Sequence, residues 1–159
     1  TLLRREPGAA VQGTRVIAER TSLQMRRLMR LAVETGTGRN GDAEGYLVGG
    51  KTGTAEKLSG RGYNRKARIS SFIGAYPIND PRYVVLAMID EPVGNKRTFG
   101  YATGGWVAAP VVSRIVARMA PMYGIPPMDE NAPEIRRDLV VDIAPRDPSQ
   151  NGSKRLASY

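Results

Sequence analysis

No cysteine and no histidine occur among the 159 residues of this chain. That excludes a cysteine nucleophile, a Ser-His-Asp triad within the chain and any usual zinc site. Neither a metal nor a cofactor is expected. Freedom from cysteine fits the cytosol and the periplasm equally. Long apolar runs are also missing: the longest, Tyr83 to Ile89, is far short of the roughly 20 residues that a membrane-spanning helix needs. No secretory signal is visible, and the chain starts at Thr1, so any membrane attachment is expected to come from an anchor upstream of this piece. Lys, Ser, Thr, Tyr, Asp and Glu are left to carry chemistry.

What is present suits a globular domain. Hydrophobic residues make up 41% and charged residues 25%, the balance of a packed chain rather than a disordered one. A chain of this length buries roughly 70% of its extended surface as one domain. The net charge of +9 raises the question of an anionic partner. Its basic residues are scattered, apart from Arg61, Arg65, Lys66 and Arg68, with no recognition-helix pattern and no interleaved aromatics. A basic solvated surface is the expectation, with no nucleic-acid partner. Binding of DNA by the Arg61–Arg68 cluster is the competing idea and would show steep salt dependence.

Read along the chain, Arg15 to Ala18 is β-prone. Thr21 followed by Gln24 has capping-box spacing, and Met25, Leu28, Met29 and Ala32 mark one apolar helical stripe. Gly36 is placed to close that helix in the left-handed conformation. A loop follows to Gly45, then a glycine-bearing strand from Tyr46 to Lys57, a polar turn over 59–64, and strands at Ile69–Tyr76 and Tyr83–Asp90. Short connections predict an antiparallel meander. After a loop from Glu91 to Gly105, Trp106–Met122 reads as a helix with Val112, Ile115, Val116 and Met119 inward and Pro110 in its first turn. Asp138 to Ile143 has the composition of a short strand, and residues from Ala144 onward read as a flexible tail. No internal repeat is evident.

The stretch GYLVGGKTGTAEK, Gly45 to Lys57, matches two motifs. Its first eight residues fit the phosphate loop G-x-x-x-x-G-K-[ST], and its middle contains Lys-Thr-Gly. A phosphate loop needs a buried strand before its first glycine and a helix starting at its Lys-Thr. Arg39 to Glu44 is no strand, and Gly53-Thr54 and then a turn follow Lys51-Thr52. The nucleotide reading is therefore set aside. Lys-Thr-Gly suits acyl transfer: a lysine stabilises an anionic intermediate and a substrate carboxylate, a hydroxyl bonds that carboxylate, and a glycine lets a peptide lie along the strand.

The longer run GGKTGTAEK, with FIGAYP, NDPRYVVLAMIDEP and YATGGWVAAPVVSRIVARM, resembles the class B (monofunctional) penicillin-binding proteins. These cross-link peptidoglycan, and the resemblance spans about Val16 to Pro127. The Asn-Asp-Pro turn, the Asp-Glu-Pro and the Ala-Ala-Pro-Val are most similar to the division-specific septal enzymes. The resemblance implies an α+β fold with an antiparallel sheet flanked by helices, part of the serine β-lactamase/transpeptidase-like fold. It places residues 1–127 as the C-terminal part of the transpeptidase domain, and 128–159 as a largely flexible extension. By the same resemblance Lys51 sustains the electrostatic network around the nucleophile. The hydroxyls of Thr52 and Thr54 bind the terminal carboxylate of a D-Ala-D-Ala stem peptide or of a β-lactam. The Thr54 N–H forms half an oxyanion hole, and Gly53 permits close approach. Tyr63, Phe99 and Tyr101 either rim the pocket or simply pack.

Two of the family's motifs are not met. No serine here is followed three residues later by lysine, and the single Ser-x-Asn, Ser149-Gln150-Asn151, lies after Lys-Thr-Gly instead of before it. The chain is thus expected to be one part of a larger serine D,D-transpeptidase on the periplasmic side of the inner membrane, inactive in acyl transfer by itself. Its expected partners are stem peptides, β-lactams and cell-division proteins. A noncatalytic module that binds peptidoglycan or a division partner is the alternative. As an isolated piece it is expected to expose an apolar sheet face and the stripe around Met25 and Leu28.

Overall fold

The computed structural model describes residues 13–59 and 62–141, with the backbone alone at 59 and 63–66. Helix α1 (Glu19–Glu34) leads through a 3-10 turn at Arg39–Gly41 into a meander of β1 (Gly49–Ser59), β2 (Gly62–Tyr76) and β3 (Tyr83–Asp90). Helices α2 (Gly104–Val107), α3 (Ala109–Met122) and α4 (Pro133–Leu139) follow. Both strand pairs are antiparallel, in the order β1-β2-β3. The expected meander is therefore present, and the α+β architecture with it.

Register divides the sheet into two faces. Thr52 pairs with Phe72 and Phe72 with Ala87, so Gly50, Thr52 and Thr54 share one face with Ser70, Phe72 and Gly74. Helix α3 covers this face with Val112 and Val116, both fully buried beside Phe72, Tyr76 and Ala87. Pro110 sits in the first turn of α3 as expected, where its missing N–H costs nothing. Gly74 leaves little room here: an added Cβ would lie 3.1 Å from Val112, so that side chain would have to shift by a few tenths of an ångström. The opposite face carries Lys51, Ile73 and Leu86 in one row. There Ile73, Val84, Leu86 and Met88 stand exposed. Only its far end is covered, where Ala75 joins Leu47, Ile78 and Leu139.

Several local expectations are corrected. Arg15 to Ala18, read as β-prone, form no strand. Helix α1 begins at Glu19 with Ala18 as its N-cap, not at Thr21; an acid in the first turn favours that start through the helix dipole. Its inward line is Met29, Arg30 and Val33, while Met25 and Leu28 are each 49% exposed, as expected for this piece. The helix does stop at Thr35, but Gly36 is not left-handed. Gly36 is needed for closeness instead: a Cβ there would meet the Ala32 carbonyl oxygen at 2.8 Å. The turn expected over 59–64 is narrower, because Ser59 pairs with Gly62 and β2 already runs from there. The strand expected from Asp138 is instead the end of α4. Ile135 and Leu139 of that helix, with Met128, pack against Leu47 and Ile78, so the extension begins with packed chain. Residues 142–159, including the expected tail and Ser149-Gln150-Asn151, lie outside the described residues.

Candidate substrate-binding strand

Lys51, Thr52, Gly53 and Thr54 lie in the middle of β1, which excludes a helix start at Lys51-Thr52 and agrees with setting the phosphate loop aside. β1 is an edge of the sheet, bonded to β2 alone among the described residues. Its outer backbone groups can therefore take an extended peptide as a further strand.

The four residues do not share one face. Thr52 and Thr54 point to the helix-covered side, where a cleft of about 660 Å³ opens between β1, the 35–40 loop and the start of α2. The Thr52 hydroxyl lies 2.9 Å from the Thr37 hydroxyl. Thr54 Oγ1 accepts a hydrogen bond from the Gly104 N–H at 3.2 Å. Since that oxygen is engaged as an acceptor, its own proton stays free to be donated to an incoming oxygen. Lys51 rises from the opposite face, exposed, with its ammonium bonded to the Thr52 carbonyl at 2.8 Å and near the Thr52 hydroxyl at 3.4 Å. Gly53 lies against Ser71, whose Oγ an added Cβ would approach to 2.6 Å.

Glycines bring α2 up to the strand. A Cβ at Gly104 would lie 2.1 Å from the Ser71 carbonyl oxygen and 2.6 Å from that of Gly53, and one at Gly105 would lie 2.2 Å from that of Thr37. Asn40 then donates to the Gly105 carbonyl at 2.9 Å, tying the 3-10 turn to α2. Gly36-Thr37-Gly38 and Gly104-Gly105 read in sequence only as loop residues. Their spacing relative to Lys-Thr-Gly was the available signal, but nothing in it places Thr37 beside Thr52.

Arg30 supports the lead into β1. It is 1% exposed and donates to the Val48 carbonyl at 2.9 Å. It also pairs with Glu34, Asp42 and Glu130 at 3.0, 2.8 and 2.7 Å. Burial alone would lower its pKa; the hydrogen bond and charge of Asp42, then Glu130 and Glu34, outweigh that and move it up. The cation is permanent. In sequence Arg30 was simply one of several arginines on α1.

Phe99 and Tyr101 are exposed and pack on Trp106, edge-on at 5.5 Å and stacked at 5.6 Å respectively. Trp106 lines the cleft, whereas Phe99 and Tyr101 do not. The side chain of Tyr63 and the basic cluster at Arg61, Arg65 and Lys66 lie outside the described residues. Among the described residues no three metal-ligating side chains cluster, and no helix is long and apolar enough to cross a membrane.

Residues 7–117 match the penicillin binding protein transpeptidase domain. The chain is 44% identical over 134 residues to the probable peptidoglycan D,D-transpeptidase FtsI of Caulobacter vibrioides, covering 79% of this chain and 23% of the relative. It is 45% identical over 112 residues to the stage V sporulation protein D of Bacillus subtilis, covering 70% and 17%. In structure it is similar to the transpeptidase domain of Burkholderia pseudomallei penicillin-binding protein 3, with a TM-score of 0.67 and 38% identity over 78% of this chain and 36% of that one. Penicillin-binding protein 3 of Mycobacterium tuberculosis in complex with ampicillin gives a TM-score of 0.65 at 28% identity, over 82% and 29%. The chain thus spans less than a quarter of the length of these two curated relatives.

Proposed function

Because the chain belongs to the class B penicillin-binding protein transpeptidase domains, we propose that it forms one wall of the active site of a septal D,D-transpeptidase. In that reading residues 1–127 are the C-terminal part of the transpeptidase domain and 128–159 an extension beyond it. In the whole protein a serine outside this chain attacks the carbonyl of the penultimate D-Ala, the terminal D-Ala leaves, and the amine of a second stem peptide then displaces the serine to form the cross-link. The reaction takes place on the periplasmic side of the inner membrane, with cell-division proteins as partners.

The division of roles follows the two faces of β1. The hydroxyls of Thr52 and Thr54 receive the terminal carboxylate of the stem peptide, or of a β-lactam imitating it, on the cleft side. Gly53 keeps the strand flush, and the Thr54 N–H contributes to an oxyanion hole, a class of contact worth roughly 3 to 4 kcal/mol of transition-state stabilisation. Lys51, on the open face, supplies positive charge toward the nucleophile brought by the rest of the protein. The carrying observation is the free edge of β1 with two threonine hydroxyls turned into one cleft.

Fluorescent penicillin provides the test. A longer protein containing the upstream region is expected to be labelled covalently, and the same protein with Lys51→Ala to lose at least about 100-fold in labelling rate, as for loss of one such electrostatic group. The isolated 159-residue chain is expected to remain unlabelled; covalent labelling of it would overturn the assignment of the serine to another segment. A noncatalytic module predicts instead that no longer protein is labelled.

A further inference from the structure

The cleft beside Thr52 and Thr54 has one formal charge in its lining, that of Arg39. The other groups facing it are hydroxyls, the Asn40 amide, glycine backbone and the Trp106 ring. Lys51 is not in this lining, but its ammonium reaches round from the opposite face to the Thr52 carbonyl at 2.8 Å and to within 3.4 Å of the Thr52 hydroxyl. Hydroxyls can hold a carboxylate by hydrogen bonds but add no charge, so beyond Lys51 at the Thr52 side the cleft lining offers Arg39 alone to compensate it.

The surrounding chain keeps the Arg39 charge available. Its guanidinium has no hydrogen-bond or ion-pair partner among the described residues. Asp42, three positions on, is already bonded to Arg30 at 2.8 Å and accepts from the Ala43 N–H at 3.0 Å. The Asn40 bond to Gly105 fixes the 3-10 turn against α2, so Arg39 is held at the rim of the cleft rather than swinging free with its loop. Arginine is suited to the task, because its planar fork meets both oxygens of a carboxylate at once.

We propose that Arg39 is a specificity-determining residue that pairs with the terminal carboxylate of the peptide or β-lactam held by Thr52 and Thr54. This rests on the substrate-binding reading of β1 and adds the group that selects a charged terminus over a neutral one. Arg39 takes no part in bond making; it weights binding toward the free acid.

The longer protein containing the upstream region is titrated with acetyl-D-alanyl-D-alanine and with the C-terminal amide of the same dipeptide, and binding is read as slowed labelling by fluorescent penicillin. The acid is expected to bind more tightly than the amide. Arg39→Gln should weaken the acid about five- to tenfold, the scale of one partly exposed charge-assisted contact, and leave the amide unchanged. Arg39→Lys should restore part of the loss, and Thr54→Val should weaken both ligands. If Thr54→Val weakens binding while Arg39→Gln leaves the acid-to-amide ratio intact, the Arg39 role is overturned and the binding strand stands. If neither ligand slows labelling of the unsubstituted longer protein, the binding strand itself is overturned, and Arg39 with it.

Discussion

The two faces of the sheet are built from adjacent residues and have opposite fates. Phe72 is fully buried beneath α3, while its neighbour Ile73 is 41% exposed. Ala87 lies in the core, while Leu86 and Met88 on either side of it are 58% and 65% exposed. In a sheet with one solvated face, apolar residues alternate with polar ones. Here β3 is apolar on both faces, the pattern of a strand meant to be covered twice. The uncovered face is also the one that carries Lys51. The apolar row and the lysine therefore describe one unfilled contact, which fits a chain that spans only part of its relatives.

Substitution at neighbouring positions sharpens this contrast. The largest effect is expected from Phe72→Ala, about 3 to 5 kcal/mol of lost stability in urea unfolding, since a buried ring leaves a cavity. Ile73→Ala, one residue on, should cost about 1 kcal/mol or less, because much of its surface already meets water. Comparable losses at the two sites would show that the second face is covered in solution.

A double substitution, Leu86→Gln with Met88→Gln, should leave stability within about 0.5 kcal/mol, as surface changes usually do. It should also shift the chain toward monomer in sedimentation, because contiguous exposed apolar surface promotes association. An unsubstituted chain that stays monomeric at high concentration would break the comparison.

On the packed face, Tyr76 gives an effect that depends on pH. Its hydroxyl is buried without a hydrogen-bond partner, and burial, then Tyr83 and Tyr123, raises its pKa. The unfolded phenol ionises first, so this contribution to stability is intact below a pH of about 10 and is lost as pH climbs past it. Tyr76→Phe should change stability at neutral pH by about 1 kcal/mol or less and flatten the decline above pH ~10. Urea midpoints on both sides of that pH measure it.

The meander, the long helix after it and the strand nature of Lys51–Thr54 were legible because each rests on local pattern: β-branched runs, short turns, a 3.6-residue stripe. The Lys-Thr-Gly reading likewise needed only adjacent residues. What was not legible depends on partners distant in sequence. Thr37 meets Thr52 across 15 positions and Asn40 meets Gly105 across 65, and no periodicity announces either. On α1 no pattern announces Arg30, which is as buried as Val33 and which only its three carboxylates and the Val48 carbonyl make tolerable. Residues 128–159 are expected as a largely flexible extension, yet Met128, Ile135 and Leu139 find apolar neighbours in Leu47 and Ile78.

Arg30 also bears on the order in which the chain assembles. Its bond to Glu34 spans one helical turn, its bonds to Asp42 and Val48 span 12 and 18 residues, and its bond to Glu130 spans 100. Loop closure costs more as separation grows, so these partners are expected to be gathered in that sequence, with Glu130 last. A contact made after the folding barrier acts on the rate of coming apart more than on the rate of coming together. Glu130 thus works as a latch: loss of its charge would shorten the lifetime of the folded chain while leaving its speed of folding almost untouched.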